Sequence, residues 1–264
     1  MRDSLPLAVC ALGALFLANV PAAAMTHDGK PSSDWRVTAG AGVSWKPEVM
    51  GGSFYRARPV PNLDVEHRDG WFFNLQDGAG KKWQLSPDLV LSTFFAVSDA
   101  REESAKIDRD TTLSGMGDID RVVQAGLAMT YQLGNWQWQA RYLGNLKHGQ
   151  PGQQLKLGAD YTILKSPSAA LTLNSALTAG DSHYSQRWFG VSDEQAAKTP
   201  FAAYRTGAGW TQGSLGATLL LPIDRHWQAV GRVSYVRQLG HTEDSPLIRN
   251  HGYGTATALA QYAW

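Results

Sequence analysis

Four groups of residues in this 264-residue chain have the types that chemistry uses. Asp181 and His183 would suit a metal or a general base, but no third ligand shares their segment at a convincing spacing. Ser182, His183 and Ser185 are fragments of a hydrolase triad, yet a triad is defined by geometry rather than by proximity along the chain. We read these positions as solvated loop. Gly78-Ala79-Gly80-Lys81 has the look of the tail of a phosphate loop. It lacks the spaced first glycine, the following Ser or Thr and a strand-to-helix setting, so a hairpin turn is the better reading. The fourth group is a set of charges that strand parity places on one face: Arg36, Lys46, Arg68, Arg141, Lys156 and Arg232 with Asp64, Glu66 and Asp160. Such mixed charges either satisfy one another as an internal network or line a small polar pore. We expect the network, carried by Arg36, Asp64, Glu66, Arg141, Lys156, Asp160 and Arg232. Leu143, Leu164 and Leu220 share the inward parity, which argues against a wide water channel. No catalytic set, metal site or cofactor motif emerges.

The elements that must position this set are two-faced strands. From Val123 to Leu133, apolar residues at odd positions alternate with Gln124, Gly126, Ala128, Thr130 and Gln132. Gly134-Asn135 turns the chain, with Gly where a type II′ turn needs it. Trp136, Trp138, Ala140, Tyr142 and Leu146 then oppose Gln137, Gln139, Arg141 and Asn145. Successive side chains of a strand point to opposite faces, and each arm has about the 9–11 residues of a tilted membrane-crossing strand. The same alternation recurs from Trp35 to the C-terminus and gives about twelve strands, the even count of outer-membrane barrels. Pro59 and Pro61 interrupt the second strand, whose upper part should be bulged or unpaired. Ser98 to Arg121 reads as a long polar segment, and Ser192 with Gln195 marks a capping box for one short helix. Short and long connections alternate, as turns at one rim and loops at the other of a membrane barrel do. Trp35, Trp71, Trp136, Trp227, Tyr262 and Trp264 fall near the short-turn rim, and Trp45, Trp83, Tyr235 and Tyr253 near the other, as two interfacial girdles. The fold expected is an all-β, antiparallel up-and-down transmembrane barrel whose apolar face meets lipid.

Composition agrees. A formal net charge of +1 gives no field for nucleic acid. Arg2, the apolar run Leu5 to Val20 and Pro21-Ala22-Ala23-Ala24 read as a cleaved signal peptide over 1–24. Residues 25–34 follow as a polar lead-in and 35–264 as the barrel. The one cysteine, Cys10, falls inside the signal, so the mature chain would rely on closed hydrogen bonding and not on disulfides.

Three loop motifs narrow the class. Leu113-Ser114-Gly115-Met116-Gly117-Asp118-Ile119, Trp188-Phe189-Gly190-Val191 and Asp244-Ser245-Pro246-Leu247 occur in this order, with Arg101-Glu102-Glu103-Ser104 before them. Together they resemble the MipA/OmpV family across essentially the whole mature chain. Trp188 stands where that family usually has Tyr, and the chain ends in Trp264 where such barrels more often end in Phe, although Tyr262 keeps the pattern of a terminal assembly strand. The resemblance implies an outer-membrane protein embedded in lipid and inserted by the outer-membrane assembly machinery. It also implies a scaffolding role beside a lytic transglycosylase and a murein synthase; a narrow passive channel for small solutes or drugs is the alternative. Physically, Gly115 and Gly117 permit positive φ and Asp118 accepts backbone hydrogen bonds, which would fix a loop over or into the mouth.

Overall fold

Alternation of apolar and polar residues becomes a closed ring of antiparallel strands in the computed structural model, which describes residues 34–146 and 152–264. The signal peptide and most of the lead-in expected from the sequence lie outside the described residues. The strands are β1 (Trp35–Pro47), β2 (Tyr55–His67), β3 (Trp71–Asn74), β4 (Gly78–Ser86), β5 (Leu89–Val97), β6 (Val123–Leu133), β7 (Trp136–Asn145), β8 (Gln154–Lys165), β9 (Ala170–Gly180), β10 (Gly209–Pro222), β11 (Trp227–Gln238) and β12 (Gly252–Ala263). Each pairs with its neighbours in sequence, and β1 pairs with β12 to close the barrel. No helix of the described residues is long and apolar enough to cross a membrane. The crossing is made by strands.

Side-chain parity follows from this register. Leu127, Met129, Leu157, Leu173, Leu215 and Val233 all stand exposed on the outer wall. A continuous exposed apolar belt of this kind is what lipid, and not water, covers. Inside, β1 turns Gly40 and Gly42 toward the lumen, where a Cβ would strike the β12 backbone at Ala260 and Ala258. The two glycines therefore let the first and last strands meet closely. At the inner rim Gly134 has φ +58° while Asn135 keeps negative φ, the combination of a type II′ turn.

The structure changes several expectations. The run Gly78–Lys81 is strand, not turn; the turn is 75–77, and Gly80 lies opposite Phe94. Strand β2 is unbroken along β1 from Tyr55 to His67, so its prolines do not bulge it. It pairs with the four-residue β3 only at Asp64–Glu66, which leaves Tyr55–Leu63 unpaired by any strand on that side. Carbonyls of Leu63 and Pro61 accept from Leu75 N and Gln76 Nε2 on this edge, so odd residues point their backbone groups there. Pro59 and Pro61 thus remove two of the N–H groups that would otherwise face the open edge.

Leu164 is not in the lumen. A register shift between Thr162 and Leu164 turns it outward beside Leu171. Tyr253 is not in a girdle either: it is buried, pairs with Val236 and faces inward. Strand β4 runs downward, so Trp83, opposite Leu91, belongs to the inner rim. Arg68 lies in the turn after β2, exposed, with its Nη1 on Asp34. The outer girdle instead holds Tyr235, Tyr142, Trp210 and a stacked Trp45–Tyr55 pair at 4.3 Å.

The hydrophobic core sits above the barrel. Val49, Ile107, Leu113, Met116, Val191, Phe201 and Leu247 form one buried cluster, and Ile119, Tyr184, Trp188, Phe189 and Ile248 a second. All belong to four outer connections: 48–54, 98–122, 181–208 and 239–251. The segment read as polar, 98–121, supplies four of these residues. Two helices complete this cap: α1 (Ser182–Phe189) and α2 (Asp193–Ala196). Helix α2 carries the expected capping box between Ser192 and Gln195.

Candidate functional site

The cap is built by the family-like motifs clasping one another. Gly115 and Gly117 adopt φ of +88° and +73°, so their N–H groups both donate to Glu103 Oε2, at 3.2 and 3.3 Å. Glu103 N returns a bond to Asp118 Oδ1 at 2.8 Å. Beside this clasp Arg101 and Ile119 exchange backbone bonds. Side chains at φ above zero are strained, which is why glycine occupies both turns. Gln195 uses both ends of its amide: Oε1 accepts from Ser192 N, and Nε2 donates to Met116 O at 2.6 Å.

Arg101 pins α1. Its Nη1 donates to Trp188 O at 2.9 Å, a last-turn carbonyl left open by the helix end. Burial, with Arg187 nearby, lowers this guanidinium to about 10. Phe189 follows at the helix end, 1% exposed, and its carbonyl accepts from Ser245 Oγ at 2.5 Å. Gly190 ends the helix where a Cβ would collide with the Gln186 side chain. Val191 exchanges backbone bonds with Tyr204, whose hydroxyl donates to His241 O at 2.6 Å. After Ser245 and Pro246, Arg249 Nε reaches Asp108 Oδ2 at 2.9 Å while its Nη1 donates to Pro246 O. That bond is the main reason the Asp108 carboxyl is held down at about 2.

Below the cap the lumen holds the charges expected there, differently paired. Arg36 meets Glu66 at 3.5 Å, and Lys82 meets the same carboxylate at 3.3 Å. Asp64 accepts from Asn74 Nδ2 at 2.7 Å. Asp160 accepts from Gln139 Nε2 and Asn174 Nδ2, and Asn174 Oδ1 accepts from the Thr218 hydroxyl, which in turn accepts from Arg232 Nε. Arg141 does not bond Asp160. It donates to Asp77 Oδ1 at 2.6 Å and to Asp77 O, and it lies over the Phe94 ring at 4.3 Å. Lys156 is the cross-strand neighbour of Arg141 on the inward face. Phe94 spreads into the space left by Gly126, where a Cβ would strike its ring, and Phe72 stands 6.3 Å away. Above them, burial raises the carboxyl of Asp99, with Lys46, Arg121 and Lys156 in electrostatic reach.

Sequence reasoning missed Asp77 and Phe94, and it named Glu103 only within the charged run 101–104, without its role as acceptor. Only Phe94 left a signal, as an aromatic at an inward position opposite glycines. The residues weighed for catalysis, read as solvated loop, instead open α1 and do not converge: Asp181 is its N-cap, accepting from Tyr184 N at 2.7 Å, Ser185 is buried in it, and His183 is exposed on it. Among the described residues, no three His, Cys, Asp or Glu side chains gather to hold a metal ion.

A closed, lipid-belted ring of antiparallel strands with inner turns and a packed outer cap defines an outer-membrane β-barrel. The family model described as MltA-interacting protein MipA matches residues 39–264, and the chain belongs to that family. Among solved structures, a KdgM porin is similar at 12% identity over 86% of this chain and 99% of that one, with a TM-score of 0.47. A NanC porin is similar at 8% identity over 86% and 98%, with a TM-score of 0.42. The translocator domain of autotransporter NalP from Neisseria meningitidis is similar at 11% over 92% and 91%, with a TM-score of 0.43. A comparison with curated proteins returned no match.

Proposed function

We propose that this protein is a plugged, non-enzymatic barrel that serves as a scaffolding partner of the peptidoglycan-remodelling machinery, a lytic transglycosylase and a murein synthase. The observation that carries the reading is the cap: an outer mouth covered by two buried apolar clusters suits anchorage better than permeation. Phe94 and the Arg141–Asp77 pair lie across the lumen beneath it and add to the same argument. The family's description, MltA-interacting protein, supplies the partner class. The signal over 1–24 directs export and is then cleaved off, and the assembly machinery reads the terminal strand at Tyr262 and Trp264, which pack edge to face at 4.8 Å.

A periplasmic partner meets only the five inner turns and the lead-in 25–34. That surface is small, so the association belongs to the transient class below about 1,200 Å² of buried area. Cross-linking in intact cells followed by affinity capture should recover a murein hydrolase or synthase. Capture that repeatedly brings down neither would overturn scaffolding, and a steady ionic current from purified protein in planar bilayers would replace it with the narrow channel.

A further inference from the structure

At the outer rim, between α1 and the ends of β10 and β11, lies a cavity of about 320 Å³ that the proposed function leaves unused. Its wall is largely apolar, with Leu177, Trp210 and Leu239 and the run Gly207-Ala208-Gly209 among its lining. Leu177 and Trp210 are also part of the exposed outer wall, each 44% exposed, so the cavity is continuous with the surface that meets lipid. Gly213, paired with Leu177, sits just under it; a Cβ there would lie 3.2 Å from Leu239 and 3.4 Å from Leu177. A register shift between Trp210 and Gln212 re-aims the strand at this point, as bulges near sites do.

The hydroxyls that line the cavity present almost no accessible surface to it: Ser185 is 0% exposed, and Thr211 and Thr242, likewise buried, donate to Thr178 O and to Thr211 O. What the cavity offers an occupant is therefore apolar surface, which suits a hydrocarbon chain. The surroundings also leave room. No atom lies within 4 Å of a Cβ built on Gly207, and its φ is not in the left-handed region.

We infer that this cavity binds one acyl chain of an outer-leaflet lipid, with the lipid's ester oxygen at its mouth. The chain runs down the outer wall over Leu177 and Gly213. Its oxygen sits at the interface, the level at which the girdle residues Trp210 and Tyr235 stand. This site is independent of the scaffolding role, which concerns the opposite rim.

The test places the full mature chain in vesicles containing a phospholipid with a photoreactive group on its acyl chain. Adducts are then mapped by mass spectrometry. Wild type should concentrate label on Leu177, Trp210 and Leu239. Gly207→Phe fills the open space and should cut that label roughly tenfold, while Gly231→Phe, an equally open position lower on the wall, should leave it unchanged. Heat-modifiable gel mobility reports that each barrel is folded. Label spread evenly round the wall, or label in folded Gly207→Phe equal to wild type, would overturn the inference.

Discussion

Phe189→Ala is the sharpest perturbation of the cap. Its ring is almost fully enclosed by Ile119, Tyr184, Trp188 and Ile248 and lies at the junction of three connections. Truncating such a phenylalanine costs about 3–5 kcal/mol, and the backbone bond from Ser245 survives because it goes to the carbonyl. The barrel wall is untouched, so the loss falls on the local opening of the cap and not on global unfolding. Each 1.4 kcal/mol is a factor of ten, which raises the open fraction by roughly two to three and a half powers of ten. Arg187, Lys198 and Arg205 put trypsin sites in the connection 181–208. The variant should be nicked there far faster than wild type while its heat-modifiable mobility is retained. Planar-bilayer recording should show brief openings in the variant and none in wild type. Faster nicking without any current would refute the idea that the cap is the seal and would assign closure to Phe94 and Arg141–Asp77. Unchanged nicking would refute the cap as a cooperative unit.

Leu127→Arg should impair assembly, since arginine at mid-bilayer costs about 2–4 kcal/mol, whereas Gln139→Arg stays on the lumen face within reach of Asp160 on the adjacent strand and should insert normally. Urea-gradient refolding into vesicles would measure both, and equal tolerance would contradict the assignment of faces. Asp77→Leu leaves buried Arg141 without its carboxylate and should lower barrel stability by about 3–5 kcal/mol, read from the unfolding midpoint. The Asp108 carboxyl is depressed in the folded cap from 3.8 to about 2, so its contribution is complete above about pH 5 and is lost as pH falls toward 2. Cleavage of the cap by an acid-active protease should rise across that window, and Arg249→Gln should flatten the dependence.

The wall was legible because lipid on one side and a packed lumen on the other impose a period of two on nearly every strand. Where the period weakens, reading fails for physical reasons. Strand β12 alternates Ala with Thr, so its parity must be taken from Tyr262; Tyr253, nine residues earlier, therefore lies on the opposite face. Leu164 obeys parity until a single-residue shift after Thr162, which no local pattern announces. The cap was the least legible part. Ile107, Leu113, Met116 and Ile119 are isolated apolar residues in a polar run, and only partners from other connections make a core of them. Helix α1 did leave traces, with Asp181 as N-cap and Tyr184 and Trp188 one turn apart. The motif glycines were readable as turn formers, but Glu103, the acceptor that both turns serve, was not.

The placement of that core has a consequence for the order of assembly. Val49 follows β1, and Leu247 and Ile248 precede β12, so the cap bridges the seam where the chain's two ends are joined. Backbone bonds from Arg249 and Asn250 to Gly51 O stitch the same place. Contacts this far apart in sequence form late, after the loops between them have been closed by other structure. The cap therefore acts as a latch that sets only on a finished ring, and an unzipped β1–β12 pair has to break it first.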